Sequence, residues 1–281
     1  MRAPKPVLKA LMRFNAVVPV RRIRNQFFRR VIVPLWPRTT DDTAVPLPGT
    51  DLTMLVDYAE HSGFILCSMG DHEREVHGFI TSNLRAGETF IDIGAHFGLH
   101  TLYAARAVGP GGRVFAFEPG EYQRRYLNEN IRRNGLAQAE IVVSLLGDRP
   151  GPARYARGPE GHAGMSSIAL GAGEGIEMPM TTLDQFCAER GIKSIGGMKM
   201  DVEGAEYLVM SGARRVLNEV GPRFVLYECV DRNSAKFGHT SKETHDLLRS
   251  AGYTIHALID GRIQPYHDER VLTDDFVAIR A

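Results

Sequence analysis

Strand-like and helix-like segments alternate from residue 88 to residue 281, and this alternation limits the possible folds more than any other feature of the chain. ETFIDIG (88–94) has the β-branched and aromatic content of a strand, and LHTLYAARAVG (99–109) has a helical spacing that closes on Gly109. RVFAFEP (113–119) predicts a second strand, YQRRYLNENIRRNG (122–135) a second helix, and AEIVVSLLGD (139–148) a third strand. After a gap the pattern resumes with GGMKMDVEG (196–204), AEYLVMSGARRVLNEV (205–220), RFVLYECV (223–230), KETHDLLRSAG (242–252), TIHALIDG (254–261) and DDFVAIRA (274–281). Parallel neighbours need helical crossovers, so this order predicts an α/β chain with a mostly parallel, doubly wound sheet. The last two strands have no helix between them, which predicts an antiparallel hairpin at one edge.

The gap at 149–195 is rich in glycine and proline and has no long periodic element, so it reads as a loop-rich insertion that shapes a substrate site. Upstream, REVHGFITSNL (74–84) has helical spacing, and DDTAVPLPGT (41–50) reads as a linker. The expected division is an N-terminal extension over 1–50 and a domain over 51–281.

Open parallel sheets bind ligands beyond the carboxyl ends of their strands, near the switch in strand order. The turn in TFIDIGAHFGLH (89–100) is placed there. A dinucleotide fingerprint would need G-x-G-x-x-G, but position 96 is histidine, which leaves Asp92, Gly94 and Gly98 as D-x-G-x-x-x-G. A pyrophosphate does not suit that turn. A cofactor without phosphates can lie over the glycine backbone, with Asp92 orienting a polar or cationic group. Glu118 closes the second strand 24 residues after Gly94, where an acid accepts hydrogen bonds from both hydroxyls of a ribose. Asp148, after the third strand, either reaches an adenine amine or fixes the turn before Pro150. His96 and His100 raise a zinc alternative, but Gly98 lies between them and His96 precedes the helix, so their faces need not coincide.

Taken in order, TFIDIGAHFGLHTLYAARAVGPGGRVFAFEP, NENIRRNGL, TTLDQF and MKMDVEGAEYLVMSGARRVL resemble the FkbM family of S-adenosylmethionine-dependent methyltransferases over roughly residues 74–281. The resemblance implies a Rossmann-like class I methyltransferase fold with a seven-stranded, mostly parallel sheet and an antiparallel terminal hairpin. It implies S-adenosylmethionine as cofactor, with Asp92, Gly94 and Gly98 facing its methionine part, Glu118 its ribose and Asp148 its adenine side. The family often has asparagine where this chain has His96, which would stand as a polar neighbour of the cofactor.

A sulfonium methyl is already activated, so placing the acceptor supplies much of the acceleration, and a hydroxyl acceptor needs help losing its proton. Asp201 ends its strand in MKMDVEGAE and is the favoured general base or orienter, with Glu203 and Glu206 following. Glu206 also suits the first turn of a helix for reasons of the helix dipole alone. Lys199, at alternate spacing, shares a face with Asp201 and can pair with it. His162 in GPEGHAGMSS is a further candidate base or a solvated loop residue, and His239 lines the pocket or merely precedes a helix capped by Thr240 or Ser241. Asp201, Glu203 and Glu228 could together hold a divalent cation through oxygen ligands.

Charge divides the chain. Residues 1–40 carry ten of the 34 basic residues and no acid, leaving 24 basic against 33 acidic residues beyond. Apolar residues in that arm, such as Phe27, Phe28, Ile32 and Trp36, suit either an interfacial helix on an anionic membrane or packing on the domain. Neither a spanning segment nor a cleavable signal is evident, and the arm's lack of serine argues against a transit peptide. Cys67, Cys187 and Cys229 lack CxxC spacing, which argues against disulfides and thiolate zinc. A cytoplasmic location is the expectation, with attachment to the membrane surface as the alternative that the arm leaves open, and the acidic body disfavours nucleic acid. The leading function is therefore O-methylation of a sugar, glycolipid or natural-product hydroxyl. A cofactor-binding or membrane-peripheral protein without turnover is the alternative, and an NAD-dependent oxidoreductase a weaker third.

Overall fold

The computed structural model describes residues 5–18, 21–36, 41–159, 161–169, 175–267 and 273–281. The chain divides into two compact units, the first formed by 1–74 with 158–164 and the second by 75–157 with 165–281.

In the first unit, α1 (Lys5–Ala16) is followed by α2 (Arg21–Phe27), a π-helical turn (Phe28–Ile32) and a short 3-10 turn (Val33–Leu35). The segment expected to be a linker forms a strand, β1 (Asp42–Pro46), paired antiparallel with β2 (Thr53–Asp57), and α3 (His61–Met69) follows. α1 buries Leu8, Met12 and Asn15, and the Asn15 amide donates to the Ser68 carbonyl at 2.7 Å. Trp36 stacks on Phe64 at 4.6 Å and donates its indole N–H to the Tyr58 carbonyl at 2.9 Å. These contacts tie Tyr58, Phe64 and Ser68 to the arm within the first unit.

The second unit opens with α4 (Arg74–Asn83) and holds the alternating elements β3 (Thr89–Ile93), α5 (Leu99–Val108), β4 (Arg113–Phe117), α6 (Glu121–Arg133) and β5 (Ala139–Val142). The insertion supplies β6 (Leu145–Leu146), β7 (Gly151–Ala156), β8 (Ser167–Ile168), β9 (Ile176–Thr181) and α7 (Leu183–Glu189). Then come β10 (Gly197–Met200), α8 (Glu206–Ser211), a π-helical turn (Val216–Val220), β11 (Phe224–Glu228), α9 (Asp231–Ser234), α10 (Ser241–Ser250), β12 (Tyr253–Ile259), β13 (Arg262–Pro265) and β14 (Asp275–Arg280). The main sheet runs β13-β12-β14-β11-β10-β3-β4-β5. Its β11, β10, β3, β4 and β5 are parallel, and β14 lies antiparallel between β11 and β12.

The Rossmann-like architecture is as expected, but among the described residues the sheet has eight strands in place of seven. The extra strand, β13, continues from β12 through Asp260-Gly261, both left-handed at φ 49° and 72°. That pair makes a two-residue hairpin turn whose twist matches the flanking strands. The expected third strand also breaks. β5 stays in the main sheet, whereas β6 pairs with β9 in a four-stranded sheet that gives the loop-rich insertion regular structure.

Helices on both faces bury the central strands, so these read as continuous apolar runs rather than alternating ones. Within β3 and β10 the ionisable residues are Asp92, fully buried, and Lys199, which stand opposite each other in the register of the two strands. A buried charge costs stability unless it is paired. Two such residues side by side mark the strand ends where chemistry would be placed.

Candidate active site

After β3 the chain turns through Gly94, Ala95, His96, Phe97 and Gly98 into α5, with left-handed backbone at Gly94 (φ 79°), His96 (φ 52°) and Gly98 (φ 98°). A left-handed histidine persists only where the surroundings fix it. Here the Gly94 and Ala95 amides both donate to the Phe117 carbonyl at 3.0 Å. The His96 amide donates to Glu118 Oε2 at 2.8 Å, and the Asn130 side chain donates to the Phe97 carbonyl at 2.9 Å.

Gly94 is required twice over, because a Cβ there would lie 1.9 Å from the Asp201 carbonyl oxygen in addition to the left-handed strain. Gly94→Ala is expected to lower the melting temperature by on the order of 5–10 °C, as a few kcal/mol would in a domain of this size. A thermal scan beside the wild type checks this, and an unchanged midpoint would refute it.

Asp92 accepts from the Thr101 hydroxyl through Oδ2 at 2.6 Å. Its Oδ1 is buried with no hydrogen-bond partner among the described residues. Such an oxygen is costly to leave unmet, and it could accept from a ligand ammonium or hydroxyl. Lys199 donates to the Gly94 carbonyl at 3.2 Å and lies 3.6 Å from Asp201 Oδ2, so one buried ammonium ties the turn to the end of β10. The Asp201 side chain keeps 29% of its surface exposed, against 6% for Lys199.

Glu118 accepts from the His96 and Gly120 amides at 2.8 Å each, one on each oxygen. Burial nonetheless pushes its carboxyl up to about 7, against the opposing pull of those two bonds and of Arg124 and Lys199. The insertion reaches the same corner. Buried Tyr155 accepts from the Gln123 amide at 3.2 Å, Gln123 also donates to Ser166 at 3.2 Å, and a Cβ on Gly120 would meet the Tyr155 hydroxyl at 2.4 Å. Thr101, Gln123, Tyr155 and Ser166 were not anticipated from the sequence. They come from separate segments, with no shared spacing to reveal them.

Glu203 is also left-handed (φ 57°) and accepts from the Asn233 amide at 2.9 Å. Burial, and then the Asp201 charge, push its carboxyl up to about 6. Glu206 folds back to accept from the Val202 and Gly204 amides at 3.3 and 3.1 Å, holding the turn after β10, and burial pushes it to about 7. The cation site expected from Asp201, Glu203 and Glu228 does not assemble. Among the described residues no three His, Cys, Asp or Glu side chains gather to hold a metal. Lys199 takes Asp201, Asn233 takes Glu203, and Glu228 sits at the end of β11 opposite Asp275. The His96/His100 alternative meets the same finding, since His96 lies in the turn and His100 is buried within α5.

Asp148 is exposed and pairs with Arg149 at 3.4 Å. His162 belongs to the first unit, where its ring stacks on His61 at 5.4 Å and approaches Trp36 at 6.2 Å. His239 stacks on Tyr207 at 4.0 Å and precedes α10, whose cap is Thr240. The three cysteines are free and buried, with thiols pushed up to about 12, 12 and 11 for Cys67, Cys187 and Cys229, so none is poised as a nucleophile.

Residues 92–255, more than half of the chain, match the model of the methyltransferase FkbM domain. Among curated proteins, the 31-O-demethyl-FK506 methyltransferase FkbM of Streptomyces tacrolimicus is 29% identical over 205 residues, covering 61% of this chain and 75% of its own length. Among solved structures, methyltransferase FkbM from Methylobacillus flagellatus aligns with a TM-score of 0.43 at 16% identity, covering 76% of this chain and 52% of that one. An S-adenosylmethionine-dependent methyltransferase from Agrobacterium tumefaciens aligns with a TM-score of 0.48 at 12% identity, covering 85% and 70%.

Proposed function

The chain belongs to the FkbM family of S-adenosylmethionine-dependent methyltransferases, and we propose that it methylates the oxygen of a hydroxyl on a sugar, glycolipid or natural product. The observation that carries this reading is the partly exposed Asp201 carboxylate beside buried Lys199, at the strand edge next to the turn after β3. The Streptomyces tacrolimicus relative, named for 31-O-demethyl-FK506, supports an oxygen acceptor.

The residues suit the cofactor. The open Oδ1 of Asp92 matches the ammonium of its methionine part, the turn keeps Gly94 and His96 partly exposed beside it, and Glu118 matches two ribose hydroxyls. Asp148, exposed after β6, remains available to the adenine side. When bound, S-adenosylmethionine supplies a methyl group already activated on a sulfonium. Asp201 takes the proton of the acceptor hydroxyl and frees its oxygen to attack, with the Lys199 ammonium 3.6 Å away as its ion-pair partner. Glu206 holds the turn that carries Glu203 and Gly204, which fixes where Asp201 points.

Glu118 gives the reading a pH dependence. Its ionised form accepts the ribose hydroxyls best, so cofactor affinity is expected to be flat above about 7 and to fall by up to roughly tenfold per pH unit below it. Titration calorimetry between acidic and mildly basic buffer reads this, and Glu118→Gln should abolish the slope. The free protein should respond in the opposite direction. The unfolded chain releases this proton near 4.5 and the folded one near 7, so Glu118 costs stability progressively as pH rises through that interval.

The activity is tested by incubating the protein with methyl-tritiated S-adenosylmethionine and a cell extract, then fractionating the products and treating them with alkali. Label that survives alkali in a sugar, lipid or small-molecule fraction, and that hot hydriodic acid releases as methyl iodide, supports an ether-forming enzyme. Label lost to alkali would mean a carboxylate acceptor, and cofactor binding with no labelled product in any fraction would mean a protein without turnover.

A further inference from the structure

We propose that the outward face of α1, with the adjoining side of α2, docks the first unit on an anionic lipid surface. α1 is apolar on both sides. Leu8, Met12 and Asn15 point into the unit and are buried, as the side of a helix that packs should be. The opposite side carries Val7, Ala10 and Phe14, spaced three and four residues apart and therefore in one stripe, and Val17 follows in the turn just past the helix. Solvent faces of helices are ordinarily polar. Here Val7, Phe14 and Val17 are 48%, 59% and 76% exposed.

α2 extends the patch. Phe27 meets Phe14 edge-on with ring centroids 5.9 Å apart, and Ile23, one turn before Phe27 and on the same side of α2, is itself exposed. Of the nine large hydrophobic side chains exposed among the described residues, five lie between Val7 and Val33, so this segment concentrates what the rest of the surface avoids.

Charge decides the occupant. Arg13, Arg29 and Arg30 are exposed beside these apolar groups, in a stretch of 40 residues with ten basic side chains and no acid. A second copy meeting this face across a two-fold axis would set one basic surface against another. Nucleic acid would account for the arginines and leave the exposed valines and Ile23 unexplained. An anionic membrane satisfies both, taking the apolar groups into the acyl boundary and the arginines at its headgroups. No helix among the described residues is long and apolar enough to cross a membrane, so the contact would be interfacial.

The test is co-sedimentation of the full chain with sucrose-loaded vesicles of phosphatidylcholine alone or mixed with phosphatidylglycerol. The chain is expected to pellet with the mixed vesicles, to stay in solution with the neutral ones, and to be released by salt. Phe14→Asp with Val17→Asp should weaken partitioning at least ~tenfold, and Arg29→Gln with Arg30→Gln by roughly fivefold per arginine. Both pairs sit on exposed positions, so any fall in melting temperature should be small and confined to the loss of the Phe14–Phe27 edge contact. Equal pelleting of the wild type and the Phe14/Val17 variant, or no pelleting on anionic vesicles, overturns the proposal. Self-association abolished by Phe14→Asp, or duplex DNA binding, in a chain that ignores vesicles would assign the face to a second copy or to nucleic acid instead.

Discussion

Asp201→Asn is expected to slow methyl transfer by roughly 10²- to 10⁴-fold, the usual contribution of a positioned proton acceptor, while leaving cofactor affinity within about threefold of the wild type. The amide has nearly the shape of the carboxylate, so the turn held by Glu206 and the hydrogen bond from the Asp201 amide to the Ile93 carbonyl at 3.0 Å should persist. What disappears is the ability to accept a proton, together with the negative charge 3.6 Å from the Lys199 ammonium. Single-turnover transfer with labelled cofactor separates the two effects, because binding is complete before the acceptor is added. A variant that transfers at the wild-type rate would remove Asp201 from the chemistry, and one that fails to bind cofactor would move it to the cofactor site.

The second large effect is expected at Glu118. Hydrogen bonds from hydroxyls to a carboxylate contribute about 1.5–3 kcal/mol each, so Glu118→Ala should weaken S-adenosylmethionine binding by roughly 10²-fold or more. Part of that loss is structural, since the alanine also leaves the His96 and Gly120 amides without their 2.8 Å acceptors. Glu118→Gln removes the charge and keeps one acceptor oxygen, while its NH2 replaces the oxygen that accepts from the other amide, so calorimetry on both variants sets the loss of charge against the loss of both acceptors. Undiminished affinity in the alanine variant would place the cofactor elsewhere.

The alternation of strands and helices was legible because each buried strand is a short apolar run, as in Phe90 to Ile93 and Val114 to Phe117, followed by a helix that ends on glycine or Asn134-Gly135. The places of Asp92, Gly94 and Glu118 at or just after strand ends were legible for a related reason. Their positions follow from where strands end, and strand ends are fixed by the same runs. β13 was not read, although Asp260-Gly261 is a hairpin signal, because the four residues after it are all exposed and carry no alternation.

The expected cation site shows a different limit. Strand ends bring Asp201 and Glu228 to one edge of adjacent strands, but the pattern does not say which side chains will claim them. Lys199 reaches Asp201 because it is buried two residues earlier on the same strand, and Asn233 reaches Glu203 from a distant loop. The corner of Gln123, Tyr155 and Ser166 depends on how the insertion folds, which no local period encodes. It brings residues from the insertion to the Glu118 side of the site, where they would influence which cofactor portion or acceptor fits.

The most direct test of the cofactor site is a crystal structure of the chain with S-adenosylhomocysteine. The ribose hydroxyls are expected on the Glu118 carboxylate, the ammonium within hydrogen-bonding distance of Asp92 Oδ1, and the sulfur facing the Asp201 side of the turn. A ribose bound away from Glu118, or an Asp92 Oδ1 still without a partner in the complex, would contradict the account.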